Sequence, residues 1–409
     1  MKSVAEALRE VVAAFEPRDV VERPLLAAHG AALAEDIVSG RDLPAFDDSA
    51  MDGYAVRHAD LAASGGGLPV VGASAAGGAA PMPLGPMSAM RIFTGARLPT
   101  GADTVVIQED VERAGDRITV LRAPTAGANV RRRGSDLAAG SVAVARGATL
   151  GAGEIGLLAA LDRGVVRVHR RPRVAIVCAG DELRDIGAPR TPGSIVNSNA
   201  YALAAQITEA GAEPWVLPPA RDNVEDIAAR LREALRADCV VSAGGVSVGD
   251  HDHVRAAFER AGIEARFWKV AIKPGKPLLF GVRGGVPVLG LPGNPVSAMV
   301  TFEVFVKPGL RRMLGHARPY PAPIEVELAA ATRHSTGRTE FARAALRVEG
   351  GRLVAHLHAR QGSGAMSSMA GVDALVVLAA DREGFEARER VPALELRGAH
   401  WSDTSALLH

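Results

Sequence analysis

The sequence predicts a multidomain chain in which an α/β domain is flanked by β-rich domains. Three observations predict this. From about residue 172 to 317, continuous apolar runs alternate with amphipathic helical patterns, as in a three-layer domain whose mainly parallel sheet is buried on both faces. From about 44 to 145, and again after 318, short β-like runs are separated by Gly- and Pro-rich stretches. A chain of 409 residues also exceeds what one ordinary hydrophobic core holds, so two to four domains are expected.

The elements follow in order. Ser3 and Glu6 form a capping box, each side chain satisfying an otherwise unpaired amide at a helix start. Val4, Ala7, Leu8, Val11, Val12 and Phe15 then recur at helical spacing, and Pro17 ends the pattern. In the next stretch, Thr104 to Ile107 and Arg117 to Leu121 read as strands, while Ser64 to Pro86 reads as long surface loops. Val174 to Cys178 is a fully apolar strand, and Ala200, Leu203, Ala204, Ile207 and Ala210 mark a helix stopped by Gly211. Pro214 to Leu217 is a second strand. Asp222 and Glu225 cap a helix through Leu235, and Cys239 to Val241 is a third strand before Gly244 and Gly245. Beyond 318, Phe341 to Val348 and Arg352 to His358 flank Glu349-Gly350-Gly351 as a hairpin.

Composition narrows the function classes. Aromatic residues supply only 4% against 48% hydrophobic residues overall, so the cores are built mainly from Ala, Val, Leu and Ile. The formal net charge of +1 gives no global field for nucleic acid or an anionic membrane, so any anion site comes from local arrangement. The two cysteines, Cys178 and Cys239, lie in apolar runs and read as buried reduced thiols. With no apolar signal segment and no run of eighteen apolar residues, the expectation is a soluble cytoplasmic protein, bound to neither membrane nor nucleic acid.

Chemistry is expected at the carboxyl ends of the parallel strands, where open α/β sheets bind ligands. Three loops meet that description: Ala179-Gly180-Asp181-Glu182-Leu183, then Ser242 to Asp250 with Gly244, Gly245, Ser247 and Gly249, and Leu291-Pro292-Gly293-Asn294-Pro295-Val296-Ser297-Ala298. In the third, Asn294 is placed as N-cap and Pro295 as first helical residue. Glycines allow close backbone approach and helix starts offer unpaired amides, which suits phosphate; one such turn alone would be plain strand-to-helix punctuation. Lys273-Pro274-Gly275-Lys276-Pro277 is the sharpest local feature. Extended polyproline geometry would point both ammonium groups to one side, toward a diphosphate or oxyanion, and a solvated basic turn is the competing reading. The carboxylates Asp181, Glu182, Asp250 and Asp252 suit Mg²⁺ beside phosphate, with solvated side chains as the alternative. His251 and His253 receive no role, and Arg131-Arg132-Arg133 is either a solvated charge run or a phosphate clamp.

Taken together, these motifs resemble the molybdopterin molybdenumtransferase family, the bacterial MoeA type also found as the E domain of gephyrin and its relatives. The resemblance covers nearly the whole chain and is carried by segments in order. They are Pro44 to Ala55, Thr94-Gly95-Ala96 continuing to Gly101-Ala102-Asp103, Arg131 to Asp136, Gly180 to Leu183, Gly244 to Asp252, Lys273 to Pro277, and Pro292 to Ser297.

The resemblance implies four domains. An elongated N-terminal helical and β domain would span 1–43 with 146–171, and an inserted mostly β domain 44–145. A molybdopterin-adenylyltransferase-like α/β domain would span 172–317, and a β-barrel-like domain 318–409. It implies a homodimer with a site shared between subunits, and contact with molybdopterin adenylyltransferase and cofactor-receiving enzymes. The implied reaction takes molybdenum from molybdate into adenylylated molybdopterin with release of AMP, assisted by Mg²⁺. In that scheme Asp52 and Thr94 reach the site from the partner subunit. Asp136, Glu182 and Asp252 position metal and substrate, with Glu182 and Asp252 as metal ligands, and Lys273 and Lys276 hold phosphate or molybdate. Ser297, Arg343 and Ser368 are implied as further oxyanion contacts. Ala179 and Ala243 depart from hydroxyl residues common in the family, each removing a ligand hydrogen bond worth about 0.5–1.5 kcal/mol. Two rival readings follow from the same resemblance: the preceding adenylylation step, and a dimeric scaffold of the gephyrin type.

Overall fold

The computed structural model describes residues 1–244 and 253–396, and they divide into two compact units. One comprises Asp36–Arg146 with Ala152–Gly164; the other comprises Met1–Glu35, Gly147–Gly151 and the chain from Val165 onward.

The first of these units is built on a six-stranded sheet in the order Thr104–Ile107, Gly53–Val56, Ala89–Ile92, Gly67–Ser74, Arg117–Val120 and Val111–Ala114. Gly53 is required where its strand meets the edge strand Thr104–Ile107, because a Cβ there would collide with the Val106 carbonyl. The expected long loops between Ser64 and Pro86 are corrected here: Gly67–Ser74 is an eight-residue strand. Val70 and Val71 supply its β-branched centre, and the surrounding Gly and Ala masked the alternation.

In the other unit the capping box forms as read. Ser3 Oγ accepts from the Glu6 amide at 3.2 Å, and the Ser3 amide donates to Glu6 Oε2 at 2.8 Å. The helix Val4–Ala13 buries Ala7, Val11 and Val12, and Phe15 beyond it is fully buried. Phe15 packs where Gly309 leaves room for its ring, since a Cβ at Gly309 would lie 2.7 Å from it. Burying such a ring contributes about 1.5–3 kcal/mol. The strands Val20–Pro24 and Val165–His169 pair antiparallel beside this helix in sequence.

The α/β sheet runs Glu213–Val216, Arg173–Cys178, Cys239–Ala243, Val286–Leu291, Pro277–Arg283 and Glu264–Lys269. Its first four strands are parallel and its last two join antiparallel, so the mainly parallel expectation holds. Val174, Ile176, Cys178 and Val241 face one core cluster and Ala175, Val177 and Val240 the other, which is why these strands carry no polar face. The helix after Glu213–Val216 is capped by Asn223, whose side chain accepts from Asp226 N at 2.9 Å, rather than by the Asp222–Glu225 pair.

The C-terminal strands Thr339–Glu349, Arg352–Leu357, Ile324–Leu328, Arg390–Glu395 and Ala374–Leu378 close into a five-stranded barrel, because the first also pairs with the last. The hairpin turn is Gly350-Gly351, both at positive φ of 56° and 75°. Among the described residues, no helix is long and apolar enough to cross a membrane.

Candidate functional site

Strand order switches sides at Arg173–Cys178: the chain continues first to Glu213–Val216 on one side of it and then to Cys239–Ala243 on the other, all three parallel. A crevice is expected at the carboxyl ends of such strands. A cleft of about 340 Å³ lies there, and Gly180, Glu182, Gly244, Gly293 and Asn294 all line it. Three glycines pack closely here, and backbone contact requires Gly244 in particular. A Cβ on Gly244, at φ +95°, would lie 2.7 Å from the Ala179 carbonyl, and one on Gly293 would meet Gly244 Cα at 3.3 Å. A Cβ on Gly180, at φ +154°, would strike the Glu182 carboxylate at 2.5 Å. Backbone therefore forms this floor, with a carboxylate folded over it.

Among the described residues, no hydrogen-bond donor is recorded for the Glu182 carboxylate; its main-chain carbonyl instead accepts from Ile195 at 2.8 Å. Asp181 is exposed and accepts from the Asp222 amide at 3.3 Å. Ser242 is 3% exposed with an unpartnered hydroxyl, and Pro292 and Ser297 are buried behind the cleft lining. Gly245, Ser247, Gly249, Asp250, His251 and Asp252 lie outside the described residues.

The Lys273–Pro277 segment does not adopt polyproline geometry. The Lys273–Pro274 peptide bond is cis and Gly275 has φ +111°, where a Cβ would lie 2.4 Å from the Thr301 methyl group. The two lysines have different surroundings. Lys273 donates to Glu340 Oε2 at 3.0 Å, while Lys276 is exposed and without a recorded carboxylate partner among the described residues. Ile272–Lys273 forms a short strand parallel to Thr339–Glu349, so the lysine turn is fastened to the barrel.

A second barrel segment reaches the helix start at Asn294. The Val296 amide donates to Ser363 O at 3.1 Å, and Asn294 Nδ2 donates to Ser363 Oγ at 2.9 Å. Asn294 is thus the N-cap by position only, its side chain being used on Ser363 rather than on its own helix. Arg343 is fully buried and donates from Nη2 to the carbonyls of Arg360 (2.8 Å) and Gly362 (3.3 Å), holding the backbone that leads to Ser363. Among the described residues, its Nε and Nη1 have no partner. Ser368 is buried and spends its hydroxyl proton on the Ala365 carbonyl at 2.5 Å. Neither lysine, Arg343 nor Ser368 lines the cleft itself.

In the other unit, Asp52 Oδ1 accepts from both the amide (2.7 Å) and the hydroxyl (2.8 Å) of Thr94. These bonds, the amide first, hold the Asp52 carboxyl below its usual range. Asp136 is exposed, and its amide donates to Leu43 O at 3.0 Å. The arginine run is exposed and ion-paired. Arg131, Arg132 and Arg133 each bond an aspartate, at Asp48 (2.7 Å), Asp47 (2.7 Å) and Asp42 (2.5 Å) respectively.

Sequence reasoning missed Asn197, Ser198, Asn199 and Asp222, which also line the cleft. Asn197 caps the helix Ser198–Glu209, and Asn199 Nδ2 donates to Gly293 O at 2.8 Å, tying that helix to the third loop. The signal available was the Asn-Ser-Asn run before an apolar helical pattern, an N-cap signature.

Three family models match the chain in order. The MoeA N-terminal region (domain I and II) covers residues 2–161, the probable molybdopterin binding domain 175–312, and the MoeA C-terminal region (domain IV) 325–396. The chain is 38% identical over 368 residues to Molybdopterin molybdenumtransferase 2 of Mycobacterium tuberculosis, covering 87% of this chain and 90% of that protein. To the molybdopterin molybdenumtransferase of Nostoc sp. it is 41% identical over 325 residues, with 77% and 74% covered. The crystal structure of the molybdopterin biosynthesis moeA protein from Pyrococcus horikoshii OT3 superposes with a TM-score of 0.82 at 30% identity, covering 96% of this chain and all of that one.

Proposed function

Because the chain belongs to the molybdopterin molybdenumtransferase (MoeA) family, we propose that it inserts molybdenum from molybdate into adenylylated molybdopterin at the glycine-floored cleft, releasing AMP. The observation that carries the placement is the convergence of Gly180, Gly244 and Gly293 beneath the Glu182 carboxylate at the sheet's switch point. Bare backbone lets a phosphate approach closely, and no bulky side chain competes for the space.

The residues present fit Mg²⁺. Glu182 offers a carboxylate with no recorded donor, and that ion needs only one or two carboxylates because it keeps several waters. Glu182 with Asp252, the pair the family resemblance implies, is the proposed ligand set. Bound there, the ion would neutralise developing phosphate charge. Lys276 supplies an unpaired ammonium for the oxyanion, and Lys273 a second one shared with Glu340. Arg343 brings two unused donors on a rigid, buried group, and it sets the loop that fixes Asn294. Preorganised donors of this kind are usually the largest catalytic contribution.

A homodimer in which Asp52 and Thr94 complete the partner's cleft, with Asp136 helping to position metal and substrate, belongs to the same proposal. So do a cytoplasmic location, transient contact with adenylyltransferase and cofactor-receiving enzymes, and the division at 1–43 with 146–171, 44–145, 172–317 and 318–409. Matches to both flanking region models favour this over free-standing adenylylation. Incubation with adenylylated molybdopterin, Mg²⁺ and molybdate should release AMP only when molybdate is present. Mixing Asp52→Ala with Lys276→Ala protein should restore part of the lost rate if sites are shared. Absence of molybdate-dependent release from a protein that binds the substrate would overturn the reading.

A further inference from the structure

A larger cavity of about 470 Å³ adjoins the cleft and shares Asn197 with it. Ala200 and Ala204 from the helix Ser198–Glu209 form one wall, and Val216, Leu217, Pro218 and Pro219 form another. Among the described residues, no lysine or arginine lines it. Its polar groups include Tyr201, which is 47% exposed, and Asp185. Tyr201 donates its hydroxyl to Asp185 Oδ1, and the Ile186 amide donates to the same oxygen at 2.8 Å. These bonds, the Tyr201 one first, hold the carboxyl below its usual range, so it is ionised at neutral pH. Both recorded bonds fall on Oδ1, which leaves Oδ2 to accept from a ligand.

An apolar slot with an ionised carboxylate at its rim repels phosphate and molybdate and takes a flat ring carrying N–H donors. Of the substrate's two rings, adenine alternates donor and acceptor along its pairing edge. The 2-amino-4-oxo edge of a pterin places two N–H donors side by side. We propose that this cavity holds the pterin ring, with Asp185 accepting from its 2-amino and N3–H groups. The anionic end of the substrate then extends past Asn197 into the glycine-floored cleft. The proposal rests on the molybdenumtransferase reading and adds to it a ring-recognition site and a specificity residue.

The test is a fluorescence titration of the whole protein with pterin and with lumazine, which replaces the 2-amino donor by an oxo acceptor. AMP binding is followed in parallel by calorimetry. Asp185→Asn should weaken pterin binding about tenfold or more, as expected for loss of a charge-assisted hydrogen bond. Lumazine should bind the unmodified protein more weakly than pterin and be little affected by that change. Ala204→Phe, which fills the slot without touching the carboxylate, should also weaken pterin, and AMP affinity should survive both substitutions. Undiminished pterin binding in both variants, or equal losses for pterin and lumazine, would overturn the inference while normal AMP binding leaves the transferase reading standing. Failure of the unmodified protein to bind either pterin or AMP would overturn both.

Discussion

Replacing Lys273 and Lys276 in turn should separate a structural cation from a ligand-binding one. Lys273 Nζ stands 3.0 Å from Glu340 Oε2; the lysine side chain is 36% exposed and the glutamate 8%. Removing one partner of a fully buried pair costs about 3–5 kcal/mol, and an exposed pair is worth about 0–1. A pair half open on the lysine side falls between, so Lys273→Met should cost about 2 kcal/mol in urea unfolding. His334 stands 3.7 Å from the same carboxylate, and the buried Arg343 also feels its charge. Lys276→Met removes an exposed group with no recorded carboxylate partner and should stay within about 0.5 kcal/mol. Both variants should lose molybdate-dependent AMP release. Lys273→Met combined with Glu340→Gln should cost less than the sum of the single changes, because no buried charge is then stranded. Equal destabilisation by the two lysine variants, or strict additivity in the pair, would refute the assignment.

Gly244→Ala should destabilise by about 1–3 kcal/mol and abolish AMP binding, read by thermal melting and calorimetry, since its Cβ would meet the Ala179 carbonyl at 2.7 Å with φ at +95°. Asp238 feels burial that raises its pKa, outweighed by bonds to Arg170 and the Arg173 amide and by the charge of Arg18, so it lies below the usual carboxylate range. Its stabilisation is therefore present above the unfolded value near pH 3.8 and lost as pH falls through the lower folded value. Asp238→Asn should cost about 2–4 kcal/mol at pH 7, with the gap to the unmodified protein closing below about pH 4 in acid-unfolding curves. Burial raises Cys178 to about 11 and pushes Cys239 higher still, so neither thiol should react with a disulfide reagent at neutral pH until denaturant is added.

What the sequence made legible tracks how local the determining physics is. The capping box at Ser3 and Glu6, the apolar strand ending at Cys178 and the glycine loops after it are decided by neighbours within a few residues, and all were readable. The cap at Asn223 was displaced by one residue because Asp222, Asn223, Glu225 and Asp226 offer overlapping signals. The polyproline expectation for Lys273 to Pro277 failed for a long-range reason. Thr301 crowds Gly275, and the strand Thr339–Glu349 captures Ile272–Lys273, neither of which is visible from the prolines. The arginine run at 131–133 likewise found its aspartates more than eighty residues away.

Those pairings explain how a chain of net charge +1 can serve an anionic substrate. A cation already bonded to a carboxylate offers little field to a ligand, and Arg131, Arg132, Arg133 and Arg170 are all spent in this way. Lys276 and the Nε and Nη1 of Arg343 are not. Arg343 holds the loop bonded at Ser363 to the helix start at Asn294, and Lys276 follows Gly275, which lies against Thr301 at the other end of the same helix, Pro295–Thr301. Local surplus charge, rather than global charge, is thus concentrated along one helix that starts at the cleft. The carboxylates left without strong donors, Glu182 in the cleft and Asp185 Oδ2 in the adjoining cavity, are where the proposed cation and the proposed ring edge would be accommodated. Selectivity for an extended ligand with an anionic middle and an N–H-bearing end then follows from which charges the fold has left unpaired.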